Sequence, residues 1–586
     1  MNAERLLERY EQISEAPDAI ARLRRFVLDL AVRGKLVEQD PTDEPASNLL
    51  KIFTGIKADL INRKIIRKPK ALKPILDVEQ LSYTPLGWET QRLGNLSILI
   101  TKGSTPTSYG HEFTQEGVNF LKVESIQNDR VDASSVTAFI STETHEFLSR
   151  SQLEAGDILF SIAGSIGTCA VVSADILPAN TNQALAIIRG TATVFNPDFL
   201  LLLLRSFVSD AVKDRARGGA MNNVSLTDLQ NLVLPIPPLA EQHRIVAKVD
   251  ELMALCDRLE KARKTREETR DKLTVASLAR LTAPDTTPED FPAHARFALE
   301  ALPALTKRPD QIKTLRQTIL NLAVRGKLVE QDPTDEPASE LLKRIAAERA
   351  RLVKAGAIRS KKQPAPVDDA ELPFASPAGW SWTTLVQAFV VTGGIQKTPA
   401  RTPRQNAFPY LGVGNVYRNR IDLTNLKQFE LKDGDIEKFG LKPFDIMVVE
   451  GNGSASEIGR CAMWEGQIKE CVHQNHLIRC RPIEPEVSRY TMLYLNSPLG
   501  MSEMRELAIT SAGLYNLSVG KISKILIPLP PLAEQHRIVA KVDELMVLCD
   551  RLEAALTTAD TTRTRLLEAL LHEALEPSAN ALAAAE

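Results

Sequence analysis

Apolar residues recur every three or four positions in two segments of the chain, and this spacing predicts two long helices. The steps of four and three alternate, which is the a/d seam of a heptad repeat, and in the first segment they join Ile245, Val249, Leu252, Cys256 and Leu259. The second segment repeats the seam from Ile538 and continues it to Leu570, about 50 Å of helix at 1.5 Å per residue. Arg263 and Arg266 interrupt the first seam, so we expect its close packing to end sooner. The two helices are expected to pack on each other antiparallel; the alternative is that each covers only its own domain.

These helices lie in sequence blocks that occur twice. Leu30–Ser47 returns unchanged as Leu322–Ser339, and Pro237–Met253 returns as Pro530–Met546. The first block is predicted to be a helix that ends at a left-handed glycine, Gly34 or Gly326, before another helix that begins near Pro45 or Pro337. The N-terminal and C-terminal segments together rebuild what the centre has in one piece, so we expect the two chain ends to pack together.

The repeat predicts five parts. Their boundaries are 1–80 for an N-terminal helical segment, 81–236 for a first variable region, 237–374 for a central helical spacer, 375–529 for a second variable region and 530–586 for a C-terminal helix. Residues 282–309 and 363–377 are rich in Pro and Ala and read as linkers.

The two variable regions differ in sequence but share one plan. Each opens with Gly-Trp (Gly87-Trp88 and Gly379-Trp380), continues with short apolar runs typical of strands, and closes with a helix from Pro197 or near Ser488. The predicted fold class is therefore mixed α/β: two globular domains separated by long helices that form an antiparallel coiled coil, with a pseudo-twofold internal repeat.

Loops of both variable regions are rich in side chains that suit nucleic acid. Arg and Lys suit guanine, Asn and Gln suit adenine, and Ser or Thr suit either a base or a phosphate, although surface loops are polar in any protein. The candidates in the first region are Ser104, Thr105, Thr107, Tyr109, Lys122, Asn128, Arg130, Asn222 and Asn223. The candidates in the second region are Lys397, Thr398, Arg401, Asn415, Tyr417, Arg418, Arg420, Tyr515 and Asn516.

A basic tract precedes each variable region, at residues 57–73 and 343–362. A solvated helix face explains a single tract, but recurrence at equivalent positions favours contact with phosphate.

Composition is that of an ordinary soluble protein. The 586 residues are 44% hydrophobic and 25% charged, with a net charge of −2, so a case for nucleic-acid binding rests on local patches. Six cysteines in a chain of this length do not make a disulfide framework. The N-terminus has no apolar signal core and no apolar run is long enough to span a bilayer, so we expect a cytoplasmic protein without membrane contact.

Catalytic signatures are not found in the sequence. It has no phosphate-binding GxxxxGK[ST] loop, and the run from Gly393 to Thr398 lacks that spacing. It also has no glycine-rich loop for adenosylmethionine and no convincing nuclease cluster. Cys471, His473, His476 and Cys480 have spacings that hint at zinc, but their counterparts in the first region are Ala179, Thr181, Ala184 and Ile188. Core thiols and strand alternation are the preferred interpretation, so neither a metal nor a cofactor is expected.

The chain resembles the specificity subunit of a type I restriction-modification system over nearly its whole length. The resemblance is carried by PPLAEQHRIVAKVDELM, by LAVRGKLVE and by two divergent regions that open with Gly-Trp. It implies two target recognition domains that each read one half of a bipartite, gapped DNA site. It further implies two docked modification subunits, which supply the methyltransferase activity, restriction subunits in the full complex, and no catalysis by this chain.

A scaffold of another class remains as the alternative: a coiled-coil assembly protein whose variable domains bind protein partners. Steep salt dependence of duplex binding would separate the two hypotheses, since phosphate contacts produce it and protein docking need not.

Overall fold

The chain forms two compact units. The first is made by residues 1–265 together with 560–586, and the second by residues 266–559. The computed structural model describes residues 15–76, 79, 84–127, 129–216, 224–283, 287, 289–359, 372–451, 457–508 and 516–575. Both units contain helices and sheets, which confirms the mixed α/β class.

The helices that the structure describes follow the predicted repeat. In the first unit they are α1 (Ala19–Val32), α2 (Ala46–Asn62), α3 (Thr142–Phe147), α4 (Pro197–Ala216) and α5 (Leu226–Asn231). The long helix α6 (Leu239–Thr282) begins in the first unit and ends in the second. The second unit continues with α7 (Phe291–Leu305), α8 (Pro309–Val324), α9 (Ala338–Lys354), α10 (Leu385–Ala388), α11 (Asp435–Phe439), α12 (Val487–Asn496), α13 (Pro498–Ala508), α14 (Val519–Ile522) and α15 (Leu532–Leu575). From Asp560 onward α15 belongs to the first unit.

The strands of the first variable region form three sheets. The strands are β1 (Glu89–Arg92), β2 (Leu99–Lys102), β3 (Val118–Leu121), β4 (Ile126–Gln127), β5 (Arg130–Val131), β6 (Phe139–Ile140), β7 (Ile158–Ser161), β8 (Cys169–Val171), β9 (Ala179–Thr181), β10 (Leu185–Arg189) and β11 (Val233–Ile236). The sheet orders are β1-β11, β2-β10-β7-β8-β5-β4 and β6-β3-β9.

The second variable region repeats this arrangement with small changes. Its strands are β12 (Ser381–Thr384), β13 (Phe389–Gly393), β14 (Ala407–Leu411), β15 (Val416–Tyr417), β16 (Arg420–Ile421), β17 (Lys427–Glu430), β18 (Ile446–Val449), β19 (Cys461–Met463), β20 (Val472–His473), β21 (Leu477–Pro482) and β22 (Leu526–Leu529). The sheet orders are β12-β22, β13-β21-β18-β19, β17-β14-β20 and β15-β16. The shared plan predicted from the two sequences is therefore present.

Helix boundaries match the repeat signals. Gly34 and Gly326 follow α1 and α8 with φ of +66° and +68°, as expected of helix-ending glycines. Pro45 and Pro337 directly precede α2 and α9.

The first and last strands of each variable region pair with each other. Glu89 lies opposite Ile236 in the first unit, and Ser381 lies opposite Leu529 in the second. The chain therefore enters and leaves each region at one place, next to the start of a long helix.

A buried Trp–Glu hydrogen bond fastens this place in both units. Trp88 Nε1 donates to Glu241 Oε2 at 2.9 Å, and Trp380 Nε1 donates to Glu534 Oε2 at the same distance. Burial raises the pKa of both carboxyl groups, and among the described residues the Oε1 atom of each has no hydrogen-bond partner. We call this pair of contacts the Trp–Glu clasp.

Helix α1 lies against both long helices within the first unit. Arg24 binds Asp257 and Glu260 of α6, both at 2.6 Å, whereas Arg263 donates to the Ala16 carbonyl, so α1 and α6 run antiparallel.

The same helix α1 runs parallel to the end of α15. Arg22 pairs with Glu568 at 3.7 Å, and Lys35 donates to the Leu575 carbonyl. The two long helices are therefore antiparallel where they share α1, as predicted. Apolar residues from both chain ends meet in this contact, which confirms the predicted packing of the ends: Ala16, Ala19, Phe26, Leu567, Leu570 and Leu571.

At its start, each long helix packs against its own domain. In α6, Ile245 and Val249 belong to the core of the first variable region, as predicted by the alternative in which each helix covers only its own domain.

The expected early end of apolar packing after Arg263 holds only as far as Ser277. Polar side chains occupy the inward positions from Glu267 to Ser277, where Arg308 binds Glu267 and Asp271. Apolar packing then resumes, because Leu278 and Leu281 lie against Ala298.

The linker prediction for 282–309 is also wrong in part, since Phe291–Leu305 is helix α7. Pro292 lies in its first turn, where a missing N–H costs nothing, and Pro303 lies in its last turn. Burial of Ala298 against α6 outweighs the local signal of the prolines.

The clasp predicts the effect of substituting Glu241. Glu241→Leu leaves the buried Trp88 N–H without an acceptor and should lower the free energy of unfolding by about 1–3 kcal/mol.

Glu241→Gln keeps an acceptor for the Trp88 N–H and removes the buried charge. Because the folded-state pKa is raised, the wild type loses stability as pH rises above the ordinary value of 4.5, so the advantage of Glu241→Gln should grow between pH 4.5 and 7.

Thermal unfolding across this pH range measures the effect, and Glu534→Gln in the second unit is the matched variant. A Gln variant that is destabilised equally at every pH would contradict the proposed cost of the buried carboxylate.

Candidate nucleic-acid interface

Each variable region places several loops at the carboxyl ends of two parallel strands. Strands β3 and β9 run parallel with Leu121 beside Thr181, and β14 and β20 run parallel with Leu411 beside His473. Whatever follows these strands must emerge at the same edge. We call these edges the first and the second loop site.

A glycine allows a third segment to approach each loop site. A Cβ on Gly103 would lie 2.2 Å from the carbonyl oxygens of Thr181 and Asn182, and a Cβ on Gly394 would lie 2.3 Å from that of His473 and 2.4 Å from that of Gln474. Only glycine fits there.

Ser104 and Thr105 are fixed at the first loop site. The Ser104 N–H donates to the Thr181 carbonyl at 2.9 Å, and the Thr105 hydroxyl donates to Gln183 Oε1 at 2.7 Å. Gln183 is exposed and was not among the predicted residues. A signal for it existed: Asn182-Gln183 stands where the second region has Gln474-Asn475, so an amide pair occurs at this edge in both.

Lys122, which follows β3, belongs to the same edge. Its Nζ lies 5.4 Å from the centre of the Phe113 ring, and Phe113 was also missed. Thr107 and Tyr109 are exposed in the one-turn helix that follows Thr105. In the second unit Lys397 and Thr398 are exposed at the corresponding place.

Two equivalent hairpins carry the next group of candidates. β4 pairs with β5 and β15 pairs with β16, which sets Arg130 and Arg420 at matching exposed positions. The Tyr417 ring lies 4.8 Å from the guanidinium carbon of Arg420 and 5.5 Å from that of Arg460. The second hairpin is therefore aromatic and basic where the first has Gln127.

Three predicted residues of the second region are held by internal contacts. Arg401 forms an ion pair with Asp435. The Asn415 side chain accepts from the Gly412 N–H at 2.9 Å and donates to the Asp422 carbonyl. Arg418 lies 3.4 Å from Asn496 Oδ1, and burial lowers its pKa.

Four predicted residues lie outside the described part of the chain: Asn128, Asn222, Asn223 and Tyr515. Asn516 is described and exposed, and its carbonyl accepts from Lys521 Nζ at 3.1 Å. Val224 and Leu517, which come just after the undescribed segments, have equivalent places, because their N–H groups donate to the carbonyls of Ile162 and Glu450.

The basic tracts divide into anchors and exposed charges. Lys57 donates to the carbonyls of Gly94, Asn95 and Ser97, and Arg349 donates to those of Val386 and Phe389. Four exposed residues make no ion pair with any part of the chain that the structure describes: Lys64, Arg67, Lys68 and Lys70. Lys361 and Lys362 lie outside the described residues.

The Cys/His group of the second region does not converge. Cys471 and Cys480 lie in different cores, and burial raises the pKa of Cys471 to about 12. Burial also lowers the pKa of His473 to about 3, and its Nδ1 lies 3.1 Å from the Phe439 carbonyl oxygen. Among the described residues no cluster of His, Cys, Asp or Glu could hold a metal ion.

The repeated frame and the two divergent loop sites define a class of protein: a duplicated recognition module on a helical frame. The family model described as "Type I restriction modification DNA specificity domain" matches residues 85–268 and 392–559. The chain belongs to this family of type I restriction-modification specificity subunits.

Curated relatives span nearly the whole chain. The Escherichia coli type I restriction enzyme EcoAI specificity subunit is 30% identical over 95% of this chain and 94% of its own. The EcoEI specificity subunit of the same organism is 29% identical with the same coverage. A crystal structure of the HsdS subunit from Thermoanaerobacter tengcongensis covers 84% of this chain and 98% of its own at 20% identity, with a TM-score of 0.39. No helix among the described residues is long and apolar enough to cross a membrane.

The close approach of Gly103 predicts a stability difference. Gly103→Ala and Gly394→Ala must push apart two backbone segments, and we expect each to cost about 1–3 kcal/mol, as overpacking does. Gly414→Ala is the control, because a Cβ there meets nothing within 4 Å, and it should change stability by less than about 0.5 kcal/mol. Chemical denaturation measures all three; a Gly103→Ala protein as stable as Gly414→Ala would contradict this close approach.

Proposed function

We propose that this chain is a sequence-specific DNA-binding specificity subunit that reads a bipartite, gapped site, one half with each loop site. The main observation that supports this proposal is that the two loop sites have one backbone plan and different side chains. Equivalent edges are built by β3–β9 and by β14–β20, yet Gln127 and Tyr417 occupy the same hairpin position. A frame that is kept while its surface differs suits two different target sequences.

The long helices provide a spacer of sufficient length. Each contains 44 residues, which is about 66 Å at 1.5 Å per residue. One turn of duplex is about 34 Å, so recognition surfaces separated along such helices can face successive major grooves.

Phosphate contacts are supplied by the exposed basic residues beside the first region. Lys64, Arg67, Lys68 and Lys70 carry charges that no carboxylate of the described chain neutralises. When DNA phosphates bind to these basic residues, the counterions of the phosphates would be released. Catalysis is assigned to partner subunits, in keeping with the missing catalytic motifs and with the family.

The test of this function is a methylome. The chain is expressed with its modification subunit in a host free of adenine methylation, and methyladenine is mapped by long-read sequencing. One gapped, asymmetric motif with a modified adenine in each half is expected. Its absence from a stable co-purified complex would overturn the proposed function and favour a protein-binding scaffold.

We assign the docking of two modification subunits to a face that α6 and α15 present in duplicate. The face is made by His243, Ala247, Asp250, Glu251, Leu255 and Arg258, and it returns as His536, Ala540, Asp543, Glu544, Leu548 and Arg551, all exposed. Leu255 and Leu548 are 43% and 49% exposed, large apolar side chains that a partner would cover. Two equal faces bind two copies of one partner.

Substitutions in this face should remove partners one at a time. Leu255→Glu and Leu548→Glu are each expected to leave a complex with one modification subunit, and the double variant none, as native mass spectrometry would show. Leu273→Glu is the control, since Leu273 is 49% exposed on α6 outside the duplicated face. Two retained subunits in the double variant would reject this docking face.

A further inference from the structure

An exposed cluster of aromatic rings adjoins the first loop site. Tyr109 and Phe147 are 57% and 56% exposed, and their ring centroids lie 5.9 Å apart in an edge-to-face arrangement. The His111 ring lies 4.7 Å from that of Phe147. Half-exposed rings that pack on one another form a local apolar patch, and contiguous apolar patches are candidate binding surfaces.

Polar contacts with buried side chains hold the cluster in place. His111 Nδ1 and the Thr144 hydroxyl lie 3.0 Å apart, and Thr144 is buried in α3. His145, next to it, contacts Asn180 of β9. The rings are thus tied to the strand that ends at the first loop site.

The cluster is continuous with the loop that carries Thr105. Tyr109 ends the one-turn helix Pro106–Tyr109, which starts directly after Thr105 and its hydrogen bond to Gln183. The Phe113 ring, 40% exposed, follows two residues after His111, and Lys122 Nζ lies 5.4 Å from its centre. Tyr109 therefore lies only four residues along the chain from the side chain that binds Gln183.

The second unit makes the same structural contact with different chemistry. Its one-turn helix Pro399–Arg401 is joined to α11 by the Arg401–Asp435 ion pair, where the first unit joins the corresponding elements through Tyr109 and Phe147. At this position the described residues of the first unit therefore present aromatic rings, and those of the second unit present an ion pair.

We propose that the Tyr109–Phe147 cluster reads the C5-methyl group of a thymine in the half-site bound by the first variable region. This inference rests on the proposed DNA-reading function and names one determinant of it. The methyl group is the apolar feature that a base pair shows in the major groove, and aromatic side chains recognise it by direct contact. The ion pair of the second unit offers no such surface, so the other half-site is read without this contact.

Uracil substitution isolates the methyl group. The specificity subunit in complex with its modification subunits is titrated with duplexes of the recognised sequence, in which each thymine is replaced in turn by deoxyuridine. At one position of one half-site we expect binding to weaken about fourfold, the factor for one buried methyl-sized group. In Phe147→Ala this uracil effect should vanish, because the partner of the methyl group is gone.

Phe297→Ala is the control, because Phe297 is 59% exposed on α7, and it should retain the uracil effect. Phe147→Leu, which keeps an apolar side chain, should retain part of it and shows whether loss in Phe147→Ala follows from misfolding. If the wild-type complex discriminates its sequence yet no uracil effect depends on Phe147, this inference is overturned and the proposed function stands. If the wild-type complex binds no sequence specifically, the proposed function itself fails.

Discussion

The pairing of the first strand of each variable region with its last is the constraint on which the rest of the structure depends. β1 lies on β11 and β12 lies on β22, and the Trp–Glu clasp fastens this closed end to the first turn of a long helix. Because the chain enters and leaves at one point, the residues between can differ without moving the helix. The clasp buries a carboxyl oxygen that has no hydrogen-bond partner in the described part of the chain, and its presence in both units indicates that the position of the helix matters more than that cost.

A backbone fixed by its own contacts also explains how two dissimilar surfaces have one fold. The loop sites are made by backbone contacts, by the parallel strand pairs and by the close approach of Gly103 and Gly394. The side chains at the two loop sites can therefore differ without a change in the backbone. Tyr109–Phe147 and Arg401–Asp435 join corresponding elements by ring packing in one unit and by an ion pair in the other.

Helices α1 and α8 make the same two contacts although the chain is connected differently around them. Arg24 of α1 forms ion pairs with α6, and Arg316 of α8 forms ion pairs with α15. Apolar side chains of α1 meet the end of α15, and Leu315 and Leu322 of α8 pack against the end of α6. The two chain ends therefore rebuild in the first unit the packing that a continuous chain makes in the second.

The sequence by itself determined the repeat, the long helices with their seams, the glycine and proline boundaries and the shared plan of the variable regions. These signals are local or periodic, and each signal within a duplicated block occurs twice in the chain. Only the tertiary structure decided which polar residues are available. Arg401, Asn415, Lys57 and Arg349 look like ligands in the sequence, yet each bonds within the fold. Phe147 became a candidate only when helix packing brought it beside Tyr109, whereas for Gln183 strand pairing gave a partner, Thr105, to a residue that the repeated amide pair had already marked. Composition cannot distinguish a side chain that holds the fold from one that faces solvent, because the difference lies in partners far apart in the chain.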